Sequence, residues 1–255
     1  MRKFIFSLLF IPFLLQAQDP LTIVESSRDA VKVTSFEAIS TLLISDGRGN
    51  QRVRKNTMAS KTYPDNTEKR IIKFTSPEEV RGTGILIFDY KDKQDDMWIY
   101  LPALRRTRRI VSTEKSNSFM GSEFTNADMT APSVNDFTYD PPGSGTIDGT
   151  ECWIITAKPK SQDLEDEYGY SRSVRWIGKH DYVVRLTKYY DYSDELMKSI
   201  KTVTFKLLDA ERGNYMVTEM TAENHRNGRS STMIMEKIQI ARTDDKLFTI
   251  QTLER

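Results

Sequence analysis

Short apolar stretches that alternate with polar residues, divided by turn residues about every ten positions, dominate the chain after residue 35. Ile72 and Phe74, for example, alternate with Lys73 and Thr75. A period of two is typical of β-strands that bury one face. The pattern predicts eleven strands, at residues 36–45, 52–60, 69–75, 84–90, 97–101, 151–158, 173–177, 182–190, 199–208, 215–223 and 230–241.

Helices are a minority in the same pattern. Asp19 followed by Pro20 is a helix-start signal, because an aspartate can cap the first turn and proline fits the first helical position. Leu21, Val24 and Val31 then line one side of a short amphipathic helix. This helix needs an apolar surface to cover.

The loops between the predicted strands are mostly of hairpin length, which favours an antiparallel meander over a parallel α/β sheet. Residues 85–88 are apolar on both sides of their strand, so both faces of the sheet should be covered there. A second short helix is expected near residues 124–129. We therefore predict a mainly β fold, an open and incomplete antiparallel β-barrel of about eleven strands covered by a few short helices.

The first residues predict export. Arg2 and Lys3 precede the apolar run 4–15, which is shorter than the ~20 residues that span a bilayer, and Ala17 is small enough for cleavage. We predict a signal peptide at residues 1–17, a single domain at 18–255, and a periplasmic location. An uncut N-terminal anchor is the alternative. No cysteine follows the run at once, so a lipoprotein anchor is not expected.

Composition narrows the function classes. The chain has 37 Lys and Arg against 36 Asp and Glu, and this near-neutral balance argues against nucleic acid as a partner. Cys152 is the lone cysteine and is expected to be a buried structural thiol. The two histidines have no metal-ligand or nucleophile–base spacing, and the carboxylate pairs fall at predicted turns. We therefore expect no catalytic residues, no metal and no cofactor.

Five motifs follow one another between residues 81 and 129. They are RGTG, D-x-W-x-Y-L-P-A-L, R-x-x-R-R, F-M-G-S and F-x-x-x-D. In this order they resemble the outer-membrane lipoprotein-sorting protein family, the LolA-like periplasmic carriers, with looser similarity from about residue 19 to the C-terminus. The resemblance implies a LolA/LolB-like half-barrel and a carrier role. It also implies that members of this branch work beside large inner-membrane efflux-type transporters, which makes such a transporter a candidate partner.

Large flexible or aromatic side chains on the strands are the candidates for an apolar cavity. Methionine adapts its shape, so a wall that contains it can accept acyl chains of varied length. Packing of the same residues in a solid core is the alternative. The candidates are Met97, Trp98, Tyr100, Trp153, Phe205, Met216, Met220, Met233 and Met235.

A basic cluster and a glycine turn complete the candidate site. Arg105, Arg106, Arg108 and Arg109 are candidates to contact anionic headgroups or a partner, although a solvated face or internal pairing with Glu123, Asp128 or Asp136 also fits them. Phe119 and Met120, before Gly121, are candidates for a gate to the cavity or for simple loop anchors.

These features together predict a monomeric periplasmic carrier. It would shield a lipid, or the acyl chains of a lipoprotein, and transfer it between envelope partners toward the outer membrane. One alternative is a non-carrying interaction module associated with an inner-membrane transporter. Another is an enzyme that acts on envelope lipids, for which no polar residue can be nominated.

Overall fold

The structure is a computed structural model that describes residues 18–91 and 93–255. The predicted signal peptide lies outside the described residues. Within them the chain forms fourteen β-strands and three α-helices. The strands are β1 (Ser35–Ser45), β2 (Gln51–Thr62), β3 (Glu68–Ser76), β4 (Gly84–Asp89), β5 (Asp96–Leu101), β6 (Arg106–Arg109), β7 (Phe137–Tyr139), β8 (Gly143–Ile147), β9 (Thr150–Pro159), β10 (Arg172–Gly178), β11 (Val184–Tyr190), β12 (Leu196–Asp209), β13 (Asn214–Asn224) and β14 (Ser230–Ile240), and the helices are α1 (Pro20–Ala30), α2 (Gln162–Tyr168) and α3 (Ile250–Leu253).

The strands form one antiparallel sheet with the order β6-β5-β4-β3-β2-β1-β14-β13-β12-β11-β10-β9-β7, and β8 pairs with β9. The sheet is open, since β6 and β7 do not pair with each other. This confirms the predicted mainly β, open antiparallel fold. The expected number of strands was too low, because β6, β7 and β8 are short and are rich in arginine, threonine or glycine rather than in alternating apolar residues.

The sheet is strongly curled. Asp89 at the end of β4 and Arg175 in β10 are separated by eight strand spacings, which would be roughly 38 Å in a flat sheet. Both nevertheless line the same cavity. The curl therefore gives the sheet an inner face, which surrounds this cavity, and an outer face.

Part of the inner face is filled by the connection between β6 and β7, here called the crossing segment (residues 110–136). Its side chains Phe119, Phe124 and Met129 are buried among residues of β1 to β5, and the rings of Phe119 and Phe74 are 6.4 Å apart. The helix expected near residues 124–129 is only a short 3₁₀ turn, Ala127–Met129. The crossing segment thus contributes core residues without regular secondary structure.

Helix α1 covers another part of the inner face. Its start agrees with the prediction, since the Asp19 carboxylate accepts a hydrogen bond from the Thr22 amide at 3.1 Å. The buried side of the helix differs from the predicted one. Ile23 and Val24 are buried, whereas Leu21 is 37% exposed.

The outer face is covered at β2 to β5 by the C-terminal residues. Phe248 and Leu253 are buried there against Leu86, with Trp98 and Tyr100 packed beside them. This cover explains why residues 85–88 are apolar on both sides. Among the described residues, no helix has the length and apolar character that crossing a membrane would require.

Candidate functional site

A cavity of about 350 Å³ lies between the inner face of the sheet, α1 and the crossing segment. Six of its lining residues are methionines, and half of the others are aliphatic or aromatic. The apolar lining residues are Val24, Val31, Val33, Phe36, Met58, Met129, Ala131, Pro132, Val134, Ile177, Val184, Met216, Val217, Met220, Met233 and Met235. Such a wall can hold hydrocarbon without hydrogen bonds.

Several lining residues are charged, and most of them are paired. Glu68 accepts hydrogen bonds from Arg70 at 2.5 Å and from Ser60 at 2.6 Å. The Asp128 carboxylate pairs with Lys198 at 2.6 Å, and both side chains are more than nine-tenths buried. These pairs keep the charges of the wall balanced in a site that excludes much of the solvent.

Asp89 joins α1 and the crossing segment, the two elements that cover the cavity, to the sheet. One of its carboxylate oxygens pairs with the Arg28 guanidinium of α1 at 2.8 Å, and the other accepts the amide of Ala131 in the crossing segment at 2.7 Å. Burial, helped by the charges of Asp95 and Glu68, raises the pKa of Asp89 to about 7 despite the Arg28 pair. Asp89 therefore ties both α1 and the crossing segment to the end of β4.

Four of the nine predicted cavity residues line this cavity: Met216, Met220, Met233 and Met235. Trp98 and Tyr100 lie on the outer face against the C-terminal cover, which removes them from the cavity. Met97, their neighbour in β5, points inward but is buried in the core beside the crossing segment.

Trp153 and Phe205 also lie away from the cavity. Trp153 packs beside Ile23 of α1, and the ammonium of Lys179 is 4.6 Å from the centre of a Trp153 ring. Phe205 packs edge-on against Tyr215, with ring centres 5.6 Å apart, below the guanidinium of Arg185.

The sequence interpretation missed Met58, Phe36 and Met129 as lining residues. Phe36 lies between Ser35 and Glu37 in β1, and this alternation is a signal for an inward side chain once the inner face is known.

The arginine cluster lies at an edge of the sheet, where all four side chains are exposed. Arg108 pairs with Glu114 at 2.7 Å, and Arg109 pairs with Asp96. These are not the acidic partners that we expected. Glu123 pairs with Arg229, Asp128 with Lys198, and Asp136 accepts the hydroxyl of Tyr168.

Phe119 and Met120 have separate environments. Phe119 is 1% exposed within the core, as an anchor of the crossing segment would be. Met120 adopts a left-handed conformation with φ of 51°, and its carbonyl accepts a hydrogen bond from Arg54 at 2.5 Å. Neither residue lines the cavity described above.

A second hollow, of about 450 Å³, lies on the outer face between β1 to β3 and the C-terminal cover. It is larger, but its wall contains six apolar residues against sixteen in the wall of the inner cavity. The inner cavity has the more extensive apolar lining, so we place the candidate site there.

Two further features of the described residues concern metal ligands and the single cysteine. Within residues 18–91 and 93–255, no group of three or more histidine, cysteine or acidic side chains is arranged to hold a metal ion. Cys152 is fully buried, as expected, and burial raises the pKa of its thiol. A buried neutral thiol is a poor nucleophile.

Solved structures share this fold over most of the chain. A DUF1329 family protein from Desulfovibrio piger is 27% identical, with a TM-score of 0.83 over 93% of this chain and 98% of that one. A putative outer membrane lipoprotein-sorting protein domain from Vibrio parahaemolyticus is 23% identical, with a TM-score of 0.83 over 92% and 98% of the two chains. A LolA superfamily protein from Nitrosomonas europaea is 17% identical, with a TM-score of 0.68 over 91% and 97%.

The open sheet and its inner cavity define a protein of the LolA-like structural class, as the resemblance of residues 81–129 indicated. A family model with the description "Uncharacterized protein" matches residues 66–255, and the chain belongs to this DUF1329-like family. No curated protein matches the chain.

Proposed function

We propose that this protein is a periplasmic carrier that shields a lipid, or the acyl chains of a lipoprotein, and transfers it between envelope partners toward the outer membrane. The observation that carries the proposal is the inner cavity of about 350 Å³, whose wall contains six methionines. The lipoprotein-sorting relative supports it at the level of fold. No bond is made or broken in this role.

Binding would come mainly from burial of hydrocarbon, at about 0.8 kcal/mol per methylene group. A carrier must also release its cargo, so the wall cannot close permanently around it. Helix α1 and the crossing segment are the movable covers in this scheme, because each rests on the sheet through side chains rather than through strand pairing. Movement of either cover would open the cavity.

A charge placed in the wall tests this role. Met220 lines the cavity and is partly exposed, so a Met220→Lys variant is expected to fold and to bind a fluorescent fatty-acyl probe at least tenfold more weakly. Val203→Lys is the matched control, since Val203 is 48% exposed on a neighbouring strand and does not line the cavity. Equal probe binding by the wild type and both variants would contradict the carrier role.

The exposed arginine edge favours a second function, that of an interaction module beside an inner-membrane transporter. Leu104, next to Arg105, is 68% exposed, and an exposed apolar side chain among cations is suited to an acidic partner surface or a membrane surface. Retention of a co-purified transporter by the wild type and its loss on Arg105→Glu and Arg106→Glu substitution, without any bound lipid, would favour the module.

A further inference from the structure

Arg175 is the charge in the cavity wall for which the structure gives no acidic partner. Each acidic group of the wall already has a cation as its partner. Glu68 pairs with Arg70, Asp89 with Arg28, and Asp128 with Lys198. Lys32, which also lines the cavity, pairs with Asp29 at 3.1 Å. Among the described residues, no carboxylate lies within ion-pair distance of Arg175.

The place of Arg175 in the fold explains why its charge needs a partner. It lies in β10 between the strands that carry Ile155 and Thr187, and two residues before the buried Ile177. Burial lowers the pKa of the Arg175 guanidinium, but the phenol groups of three tyrosines around it, at positions 139, 170 and 189, raise that pKa overall. Phenols are neutral at ordinary pH and do not balance a positive charge. The phenol oxygens can accept hydrogen bonds from the guanidinium but leave its positive charge unbalanced, so an acidic group from outside the chain would supply the missing negative charge.

The size of the cavity limits what the anion can be attached to. A volume of about 350 Å³ is near the lower end of the ~300–1,000 Å³ range of small-molecule sites. It suits one hydrocarbon chain rather than the two or three of a diacyl or triacyl group. The methionines of β13 and β14 provide a long apolar wall for that chain.

We infer that the cargo is a single-chain anionic lipid, whose acidic group is bound by Arg175 and whose chain lies against Met216, Met220, Met233 and Met235. This inference rests on the proposed carrier function and specifies its substrate class. Guanidinium binds a carboxylate or a phosphate through two parallel hydrogen bonds, so either group would satisfy the site. A long-chain fatty acid is the simplest lipid with these properties.

The test compares charged and neutral lipids with the same chain on the delipidated protein. Palmitic acid and hexadecanol form one pair, and a single-chain lysophosphatidic acid and monopalmitoylglycerol form the other. The dissociation constants are measured for the wild type, Arg175→Gln and Arg175→Lys. The Arg172→Gln variant is the control, because Arg172 lies in the same strand but pairs with Asp194 outside the cavity.

The inference predicts that the wild type binds at least one charged lipid about ten- to a hundredfold more tightly than its neutral counterpart. Arg175→Gln should abolish this preference without weakening hexadecanol binding, while Arg175→Lys should keep part of it. A preference for palmitic acid or for the phosphate lipid would identify the acidic group. Equal affinity for charged and neutral lipids would overturn the inference but leave the carrier function intact, whereas failure to bind any of the four lipids would overturn both.

Discussion

Asp89 shows how a single buried residue can make the covers of the cavity sensitive to pH. It faces Arg28 from α1, Glu68 and Arg70 from β3, and Asp95 from the turn after β4. Its pKa is raised to about 7, so the folded protein holds the Asp89 proton more tightly than the unfolded chain does. The stability that comes from this proton is fully present at low pH and is lost as the pH rises toward 7.

The first prediction concerns the pH dependence of the free energy of unfolding. Between pH 5 and pH 7, the free energy of unfolding of the wild type should fall by about 2 kcal/mol relative to that of Asp89→Asn, because the amide does not titrate. Urea unfolding at a series of pH values measures the difference. Glu78→Gln, at an exposed carboxylate, should follow the wild type. The account of Asp89 is wrong if the Asp89→Asn and wild-type curves stay parallel.

A second prediction compares two lysines of β12. Lys198 is buried with Asp128, so Lys198→Ala leaves a buried carboxylate without its cation and should lower the free energy of unfolding by about 3 kcal/mol. Lys201 pairs with Asp148 at the surface, where its side chain is 50% exposed. Lys201→Ala should therefore change the stability by less than about 1 kcal/mol. Similar losses for the two variants in chemical unfolding would contradict the structural role of Lys198.

Single residues also show the limit of the sequence interpretation. Met97 and Trp98 are adjacent in β5 and both were cavity candidates, yet they point to opposite faces of the sheet. Both faces are covered here, so the apolar pattern does not reveal which one surrounds the cavity. The candidates in β13 and β14 line the cavity because each pair, Met216 with Met220 and Met233 with Met235, lies an even number of positions apart and shares the inner face.

At the scale of elements, the RGTG motif is explained by packing as well as by backbone angles. Gly82 has a φ of 80°, which favours glycine at this turn. Gly84 lies under the C-terminal cover instead, and a Cβ atom there would be 2.6 Å from Cδ1 of Leu253. The motif therefore provides both the turn before β4 and the space against which Leu253 of α3 packs.

The third prediction concerns the contact between Gly84 and Leu253. Gly84→Ala should lower the free energy of unfolding by about 1–3 kcal/mol, because the methyl group displaces Leu253. In the Leu253→Ala background the same substitution should have a much smaller effect, since the smaller side chain leaves room for the methyl group. Thermal unfolding of the four proteins gives the coupling energy. Additive effects would show that Gly84 and Leu253 do not act on each other.

Elements with strong local patterns could be predicted, and those defined by distant contacts could not. All eleven predicted strands have counterparts, and α1 begins at its expected cap. Strand β6 was missed because four arginines flank or form it, and only pairing with β5 makes it a strand. The crossing segment has no repeating pattern at all. Contacts such as the burial of Phe119 against Phe74 fix its position.

At the scale of the whole molecule, a curled open sheet leaves an inner face that its own strands cannot fill. The crossing segment fills one part, α1 covers another, and the methionine-lined cavity remains between them. The motif resemblance gave this fold from the sequence. The single Arg175 in the wall could not be recognised, since its significance depends on the pairing of every other charge around it.

Native mass spectrometry with lipid extraction, on protein purified from its own cells without detergent, tests the central claim most directly. The account predicts a discrete bound mass, with a single-chain lipid recovered in the extract. A mass of the protein alone, together with failure to take up a fluorescent fatty-acyl probe, would contradict the carrier function and favour the interaction module.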